Sequence, residues 1–473
     1  ILPGTSITEV FIKANQDWQE VQDSGQKILN DALQEISSQI ALPKPPHRNA
    51  VPLIVFNSLN WQRSQVVECS DLGENWQICD VEGNQLLSQL SSDNKLLFLA
   101  ENIPSIGYKV FWLCPDENTL KNSSIVDANR YVLENQYLKV KINPETGDID
   151  NIFDKANQKE VIKGQGNQLQ SFQDQGQYWD AWNIDPNYNN YPLAETNLKS
   201  INYLETGPIQ WKIRVIKQLG NSEFCQDYIL QTHSKILQIK NQVNWQENHV
   251  LVKASFPLNL ANDYTTYEIP FAAIERTNNP QTPEEKAKWE VPALRWADLT
   301  DQSQNYGVSL LNDCKYGYDS QSDRLRLTLL KSPHWPDPNC DRGQHRFTYA
   351  IYPHQGNWKE AKTVQKGYEL NIPLDVVYGE YNQPKFMTKL PTINQFLTLG
   401  ADNLILSAFK QSEDCSNSWI LRCYECEGEV AQFSLKSNLN LQIINPVNLL
   451  EQPFAEFSQV KPWKIVTFQG KII

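Results

Sequence analysis

The hydrophobic period changes once along this chain, and that change constrains the fold more than any other feature. From Ile7 to Ile40, apolar residues recur at steps of three and four, through Val10, Phe11, Ala14, Trp18, Val21, Ile28, Leu29, Ala32, Leu33 and Ile36. This is one stripe of a 3.6-residue period. Ser6 followed by Glu9 has the form of a capping box, and Pro43, Pro45 and Pro46 end the pattern. The spacing predicts one long helix within residues 1–41, about 35 residues and roughly 50 Å. A stripe of that length needs partner helices, and the rest of the sequence offers no second one.

After the prolines the period becomes two. Leu138, Val140 and Ile142 alternate with Lys139 and Lys141. Trp211, Ile213 and Val215 alternate with Lys212 and Arg214, and Leu325, Leu327 and Leu329 with Arg326 and Thr328. Half-buried strands of this kind belong to antiparallel sheets. Asn143-Pro144-Glu145-Thr146-Gly147 between two such runs is a hairpin signal with glycine at the left-handed position. The expected fold is mainly β, an N-terminal long helix followed by small and large antiparallel β-sandwich domains. Polar stretches and loops set the expected divisions: a helical piece over 1–46, a small β domain over 47–115, a large β-sandwich over 128–390 and a C-terminal β domain over 391–473.

Charge narrows the partners. The 473 residues carry 42 Lys and Arg against 55 Asp and Glu, a formal net charge of −13. Nucleic acid and anionic membranes call for clustered cations, so neither is an expected partner. No apolar run approaches the roughly 20 residues of a membrane-spanning helix. The single methionine is Met387 and residue 1 is Ile. We therefore expect this chain to be part of a longer polypeptide, whose preceding portion supplies the partner helices.

Cysteine and histidine carry little. Nine scattered cysteines do not form a small-protein disulfide framework, and Cys423 and Cys426 are a lone C-x-x-C in strand-like surroundings, best read as reduced thiols. The six histidines, His47, His233, His249, His334, His345 and His354, show no metal-binding spacing. Neither a G-x-S-x-G, a P-loop nor a G-x-G-x-x-G is present.

Three segments are irregular enough to carry a site. Gln177 to Tyr188 holds four aromatics and two carboxylates, with Gly176 just before it and Pro186 within it. Aromatic faces interleaved with hydrogen-bond acceptors suit a sugar, whose C–H face packs on a ring while its hydroxyls donate to carboxylates. The same composition serves equally for a loop packing on its own sandwich. Lys331 to Gly343 holds three prolines and ends in Asp341-Arg342-Gly343, a turn able to hold a guanidinium in place, or to use it in a structural ion pair. Asn312 to Asp319 reads at least as well as a tight β-turn with charged decoration.

Taken together, several runs resemble glycoside hydrolase family 38, the zinc-dependent α-mannosidases. They are Leu2-Pro3-Gly4-Thr5-Ser6-Ile7-Thr8-Glu9-Val10, Val55 to Ser64, Leu133-Glu134-Asn135, Tyr178-Trp179-Asp180-Ala181-Trp182, Val291 to Leu299, Leu311 to Asp319 and Asp341-Arg342-Gly343. They follow the family's order over nearly the whole chain, with wording closest to the bacterial and cytosolic branch, which implies a cytoplasmic protein. The resemblance implies an N-terminal (β/α) barrel, a three-helix bundle, and then the β domains present here. It also implies retaining hydrolysis by an Asp nucleophile and a second carboxylic acid, with a zinc on the mannose 2- and 3-hydroxyls. Both carboxylates and the zinc ligands belong to the barrel and to a His-Asp pair just before Leu2, so no catalytic residue and no metal ligand is carried over to this chain. By itself it is expected to bind no zinc and to hydrolyse nothing.

What the resemblance assigns here is the sandwich side of the sugar pocket. The candidates are Tyr178, Trp179, Asp180, Trp182, Asp185 and Arg342, which would fix the hydroxyls of an α-mannoside glycan and exclude water. The competing expectation is a stand-alone carbohydrate-binding or structural β protein.

Overall fold

The computed structural model describes residues 6–70, 75–116, 131–176, 180–381, 390–414, 417–454 and 459–472. The first element is the helix Thr8–Ser38, shorter at both ends than the pattern predicts. Only Ser37 of its residues is buried, and the predicted stripe stands open, with Trp18 59 %, Val21 71 % and Ile28 70 % exposed. Near the C-terminal end, Leu33 and Ile36 pack beside Ile54, Phe56 and Tyr108. Among the described residues no helix is long and apolar enough to cross a membrane.

Among the described residues the strands after the helix pair antiparallel, and the contacts divide the chain into two compact units. The first comprises residues 1–28, 122–269 and 274–371. Three of its sheets share one core. A nine-stranded sheet runs in the order Asn197–Thr206, Gln210–Leu219, Ser222–Gln231, Leu237–Trp245, Gly343–Gln355, Tyr306–Asn312, Trp296–Asp301, Tyr264–Ile269, Ala272–Thr277. A five-stranded sheet runs Gln168–Gln173, Val250–Pro257, Arg324–Lys331, Gly317–Gln321, Val291–Pro292. A four-stranded sheet holds Lys159–Glu160, Ile149–Asp154, Leu138–Ile142 and Val132–Glu134. Leu138 and Val140 from the last, Ile213 and Phe224 from the first, and Val252 and Leu327 from the second meet in that core. Each such side chain, taken fully out of water, stabilises the fold by roughly 1.5–3 kcal/mol.

The second unit comprises residues 29–121, 270–273 and 372–473. In it Val51–Asn57 pairs with Gly107–Pro115 and with Asp375–Tyr378, and Leu53, Val55, Phe98 and Phe111 form the core beneath. A later four-stranded sheet, Leu404–Gln411, Trp419–Glu425, Ile465–Ile472 and Leu441–Val447, has its own core around Leu421, Cys423 and Phe468. Cys423 and Cys426 are both buried free thiols, and burial pushes Cys423 up to about 12.

The period-two runs fold as strands, but their polar faces are not all wet. Lys212 is buried between Glu205 and Asp227, and Arg326 against Asp319. Carboxylates from neighbouring strands cover these cations, so their faces of the sheet are closed by charge pairs rather than by apolar packing. The hairpin at 143–147 forms as expected. Asn143 Oδ1 accepts from Glu145 N at 2.8 Å and Thr146 N at 3.1 Å, and Gly147 lies at φ 72°.

Candidate functional site

Three connections leave the five-stranded sheet at the same end. Two of them cross to the nine-stranded sheet: residues 246–249 link Leu237–Trp245 to Val250–Pro257, and residues 332–342 link Arg324–Lys331 to Gly343–Gln355. The third follows Gln168–Gln173 and contains the aromatic loop. Main-chain bonds stitch them together: Asp174 N donates to His249 O and His249 N to Ser332 O, both at 2.8 Å. Beneath them Trp245 Nε1 donates to Ser332 Oγ at 2.6 Å. The 332–342 loop is also tied to the start of the long helix, where Thr8 Oγ1 donates to buried Asp337 at 2.6 Å.

Asp180 is the pivot of this junction. Its Oδ2 accepts from His334 N at 2.5 Å and Trp335 N at 3.3 Å. Lys331 Nζ donates to the Asp180 carbonyl and stands 3.3 Å from Asp174 Oδ2 and 3.8 Å from Asp180 Oδ1. The His249 and His334 rings lie 5.0 Å apart, with His249 Nδ1 3.8 Å from Asp180 Oδ2. Asn248 joins the remaining piece, since its Oδ1 accepts from Arg342 at 2.5 Å and lies 3.1 Å from His334 Nε2. Asp341 at φ 63° and Gly343 at φ 122° form the turn that lifts Arg342 into this position, and the Arg342 side chain is exposed.

The structure therefore brings Asp180 and Arg342, 162 positions apart in sequence, into one cluster through His334 and Asn248. Trp182 follows on the same loop, with 53 % of its surface exposed, and Trp335 beside Asp180 is 51 % exposed. Asp185 has a local role: its Oδ1 accepts from Asn187 N at 2.8 Å, and its own N–H donates to Asp174 Oδ1 at 2.8 Å, shaping the turn that carries buried Tyr188. Tyr178 and Trp179 lie outside the described residues. Lys331, His334 and Trp335 lie in the proline-rich segment that is irregular in sequence, which by itself gives them no role. Asn248 and His249 carried no local signal.

Chemically, the cluster offers an exposed guanidinium and exposed indole faces, while the buried Asp174 Oδ2 and Asp180 Oδ1 are turned to Lys331. Such groups recognise hydroxyls and a sugar face. The residues do not fit a zinc: among the described residues no three His, Cys, Asp or Glu are grouped to hold a metal, and Asp180 Oδ2 is already bonded to two N–H donors. Elsewhere, Ser309, His354 and Asp298 have the composition of a nucleophilic triad without its geometry. Ser309 Oγ at 3.1 Å and Asp298 Oδ2 at 2.8 Å address the same His354 Nε2, and Nδ1 has no hydrogen-bond partner. A triad needs the nucleophile and the orienting carboxylate on opposite nitrogens of the histidine ring. This network is buried and structural.

Comparison with known proteins agrees with the architecture. Residues 133–339 match the family described as Glycosyl hydrolases family 38 C-terminal domain, and residues 403–468 the Glycosyl hydrolases family 38 C-terminal beta sandwich domain. Alpha-mannosidase G of Dictyostelium discoideum is 28 % identical over 89 % of this chain and 40 % of its own length. Human Alpha-mannosidase 2C1 is 27 % identical over 96 % of this chain and 41 % of its own length. The chain thus spans about two fifths of the length of these relatives. The crystal structure of an alpha-mannosidase from Enterococcus faecalis V583 shares the fold, with a TM-score of 0.80 over 98 % of this chain and 61 % of that one at 15 % identity. The chain belongs to glycoside hydrolase family 38, and the part of the family that it represents is the C-terminal portion.

Proposed function

We propose that this chain is the sugar-contacting C-terminal part of a cytoplasmic α-mannosidase that hydrolyses terminal α-D-mannosides with retention. In this reading the nucleophile, the acid/base and a zinc sit on a barrel outside these residues, and the three-loop junction faces the glycan. The observation that carries it is the convergence of Asp180 from one loop, His334, Trp335 and Arg342 from a second and Asn248 from a third onto one cluster, with exposed Trp182 two residues beyond Asp180.

Each residue then has a physical task. Arg342, anchored on Asn248, presents its remaining N–H groups to sugar hydroxyls. The exposed indoles supply the apolar surface on which a pyranose ring packs. Asp180, through its bonds to His334 and Trp335, holds the loop that places those groups. None of them transfers a proton. The zinc, when bound to the barrel, supplies electrostatic hold on the mannose hydroxyls.

The test uses the full-length polypeptide and an aryl α-mannoside. Arg342→Ala should lower kcat/KM at least tenfold with unchanged retention of configuration in the product. Wild-type kinetics in that variant would reject the site. A stand-alone binding protein is separated by a second measurement: it would bind methyl α-mannoside while the full-length polypeptide released no mannose.

A further inference from the structure

The outer face of the five-stranded sheet carries a second concentration of buried charge. Lys253 is fully buried, bonded to Glu290 and, at 2.7 Å, to Asp319. Arg326 Nε donates to Asp319 Oδ1 at 2.7 Å, and Arg326 also reaches the Tyr188 hydroxyl at 2.8 Å. Such a network costs desolvation that hydrophobic packing on this face would avoid. Above it opens a cavity of about 390 Å³, within the size range of small-ligand sites. Asp319 and Arg326 line its base, and Tyr264, Ile274, Arg276 and Trp289 its walls.

Arg276 is the telling side chain. It is half-buried, donates to Pro292 O at 3.2 Å and lies 5.0 Å from the Tyr267 ring centroid. Among the described residues no carboxylate pairs with it. Its side chain lines the cavity. Around it the formal charges balance, Arg276, Lys288 and Arg326 against Glu275, Glu285 and Asp319. A lining whose charges balance has no net field to favour an anion over a neutral ligand. Tyr264 is 53 % and Ile274 40 % exposed, and Trp289, whose N–H is bonded to Ile184 O at 3.2 Å and whose ring packs partly on Phe172, Tyr188 and Leu251, still lines the cavity. Donors, acceptors and aromatic surface without net charge describe the complement of a neutral polyhydroxylated ring.

We infer that this cavity is a second saccharide site, binding a neutral sugar ring against Tyr264 and Trp289 with its hydroxyls on the Arg276 guanidinium and the Glu275 carboxylate. The site is separate from the Asp180–Arg342 junction and stands whether or not that junction contacts a mannoside. It fits a role in holding a further residue of a glycan, or a neighbouring glycan, on the same domain.

Saturation-transfer NMR on the full-length polypeptide tests it, with the methyl glycosides of mannose, glucose, galactose and N-acetylglucosamine as probes. At least one should bind wild type and Arg342→Ala equally, and bind at least tenfold more weakly (about 1.4 kcal/mol) to Arg276→Gln and to Tyr264→Ala. Thermal unfolding of both variants establishes that they are folded, and Tyr264, being exposed, keeps the test valid if Arg276→Gln does not fold. Binding lost in Arg342→Ala but kept in Arg276→Gln and Tyr264→Ala would overturn the second site and leave the first intact. Binding of none of the four glycosides, or of inorganic phosphate alone, would also overturn it.

Discussion

Asp180 Oδ2 lies 2.5 Å from the main-chain nitrogen of His334, so a carboxylate from one loop fixes the backbone of another 154 positions away. The Asp180 side chain is only 13 % exposed, and a second N–H, from Trp335, shares the same oxygen. Replacing it by Ala leaves both donors without their acceptor, at a cost of about 1–3 kcal/mol. We expect Asp180→Ala to lower stability by that amount and to weaken kcat/KM, while Asp180→Asn, which keeps one oxygen acceptor, loses less of both. Equal loss in the two variants would show that charge, and not loop placement, is what Asp180 contributes.

Around Lys253 the opposing effects have signs that solution measurements distinguish. Burial alone would lower the ammonium pKa, but Glu290 and Asp319 hold it above the ordinary lysine value. Burial pushes the Glu290 carboxyl above its usual range, with Lys253 offsetting only part of that. Asp319 is buried too, yet Lys253 and Arg326 together draw it below the usual range. Lys253 thus stabilises the fold fully below about pH 10.4, and loses that contribution as pH rises through its folded value. Asp319 contributes above about pH 3.9 and loses its contribution as pH falls through its folded value, whereas Glu290 favours the fold when protonated. Lys253→Met leaves two buried carboxylates facing each other and should cost about 3–5 kcal/mol at neutral pH. The deficit should shrink in mildly acidic solution, where Glu290 takes up a proton. Urea unfolding of both proteins at the two pH values checks this.

These two clusters also mark where sequence reading succeeds and where it stops. The strand Leu138–Ile142 and the turn after it were legible because period and turn chemistry are local: alternate leucine, valine and isoleucine, then asparagine and glycine at the required positions. The helix was legible for the same reason. Lys212, Lys253 and Arg326 were not, because alternation with apolar neighbours makes a cation look solvated, and only tertiary pairing with Asp227, Glu290 or Asp319 reveals it as buried. Of the candidate site, Asp180 and Arg342 stood out by composition. Asn248 and His249 did not, since their role depends on two turns crossing between sheets at the same end, a fact of topology that no short window contains.

Gly147 is a sharper test of the hairpin. It adopts φ 72°, where side chains other than glycine are strained, and a Cβ there would stand 2.4 Å from Val215 Cγ1. Strain and overpacking add, so Gly147→Ala should destabilise by about 2–4 kcal/mol. Gly164, also at positive φ, has open space around its Cβ position, and Gly164→Ala should show the backbone cost alone, about 1–2 kcal/mol. Chemical unfolding of the two variants separates steric from conformational cost.

Arg342 is exposed, and its hydrogen bond to the Asn248 side chain is at the surface. Removing it should therefore leave unfolding within about 0.5 kcal/mol of wild type. A guanidinium recognises two hydroxyls through a planar fork that an ammonium cannot reproduce, even though the charge is the same. If Arg342 works by that geometry, Arg342→Lys should lose most of the kcat/KM that Arg342→Ala loses, with the loss expressed mainly in kcat where the contact tightens in the transition state. If it works as a long-range charge, Arg342→Lys should stay near wild type and both the wild type and the lysine variant should weaken as salt rises. Steady-state kinetics of the full-length polypeptide at two ionic strengths decides between them, and we expect the first pattern.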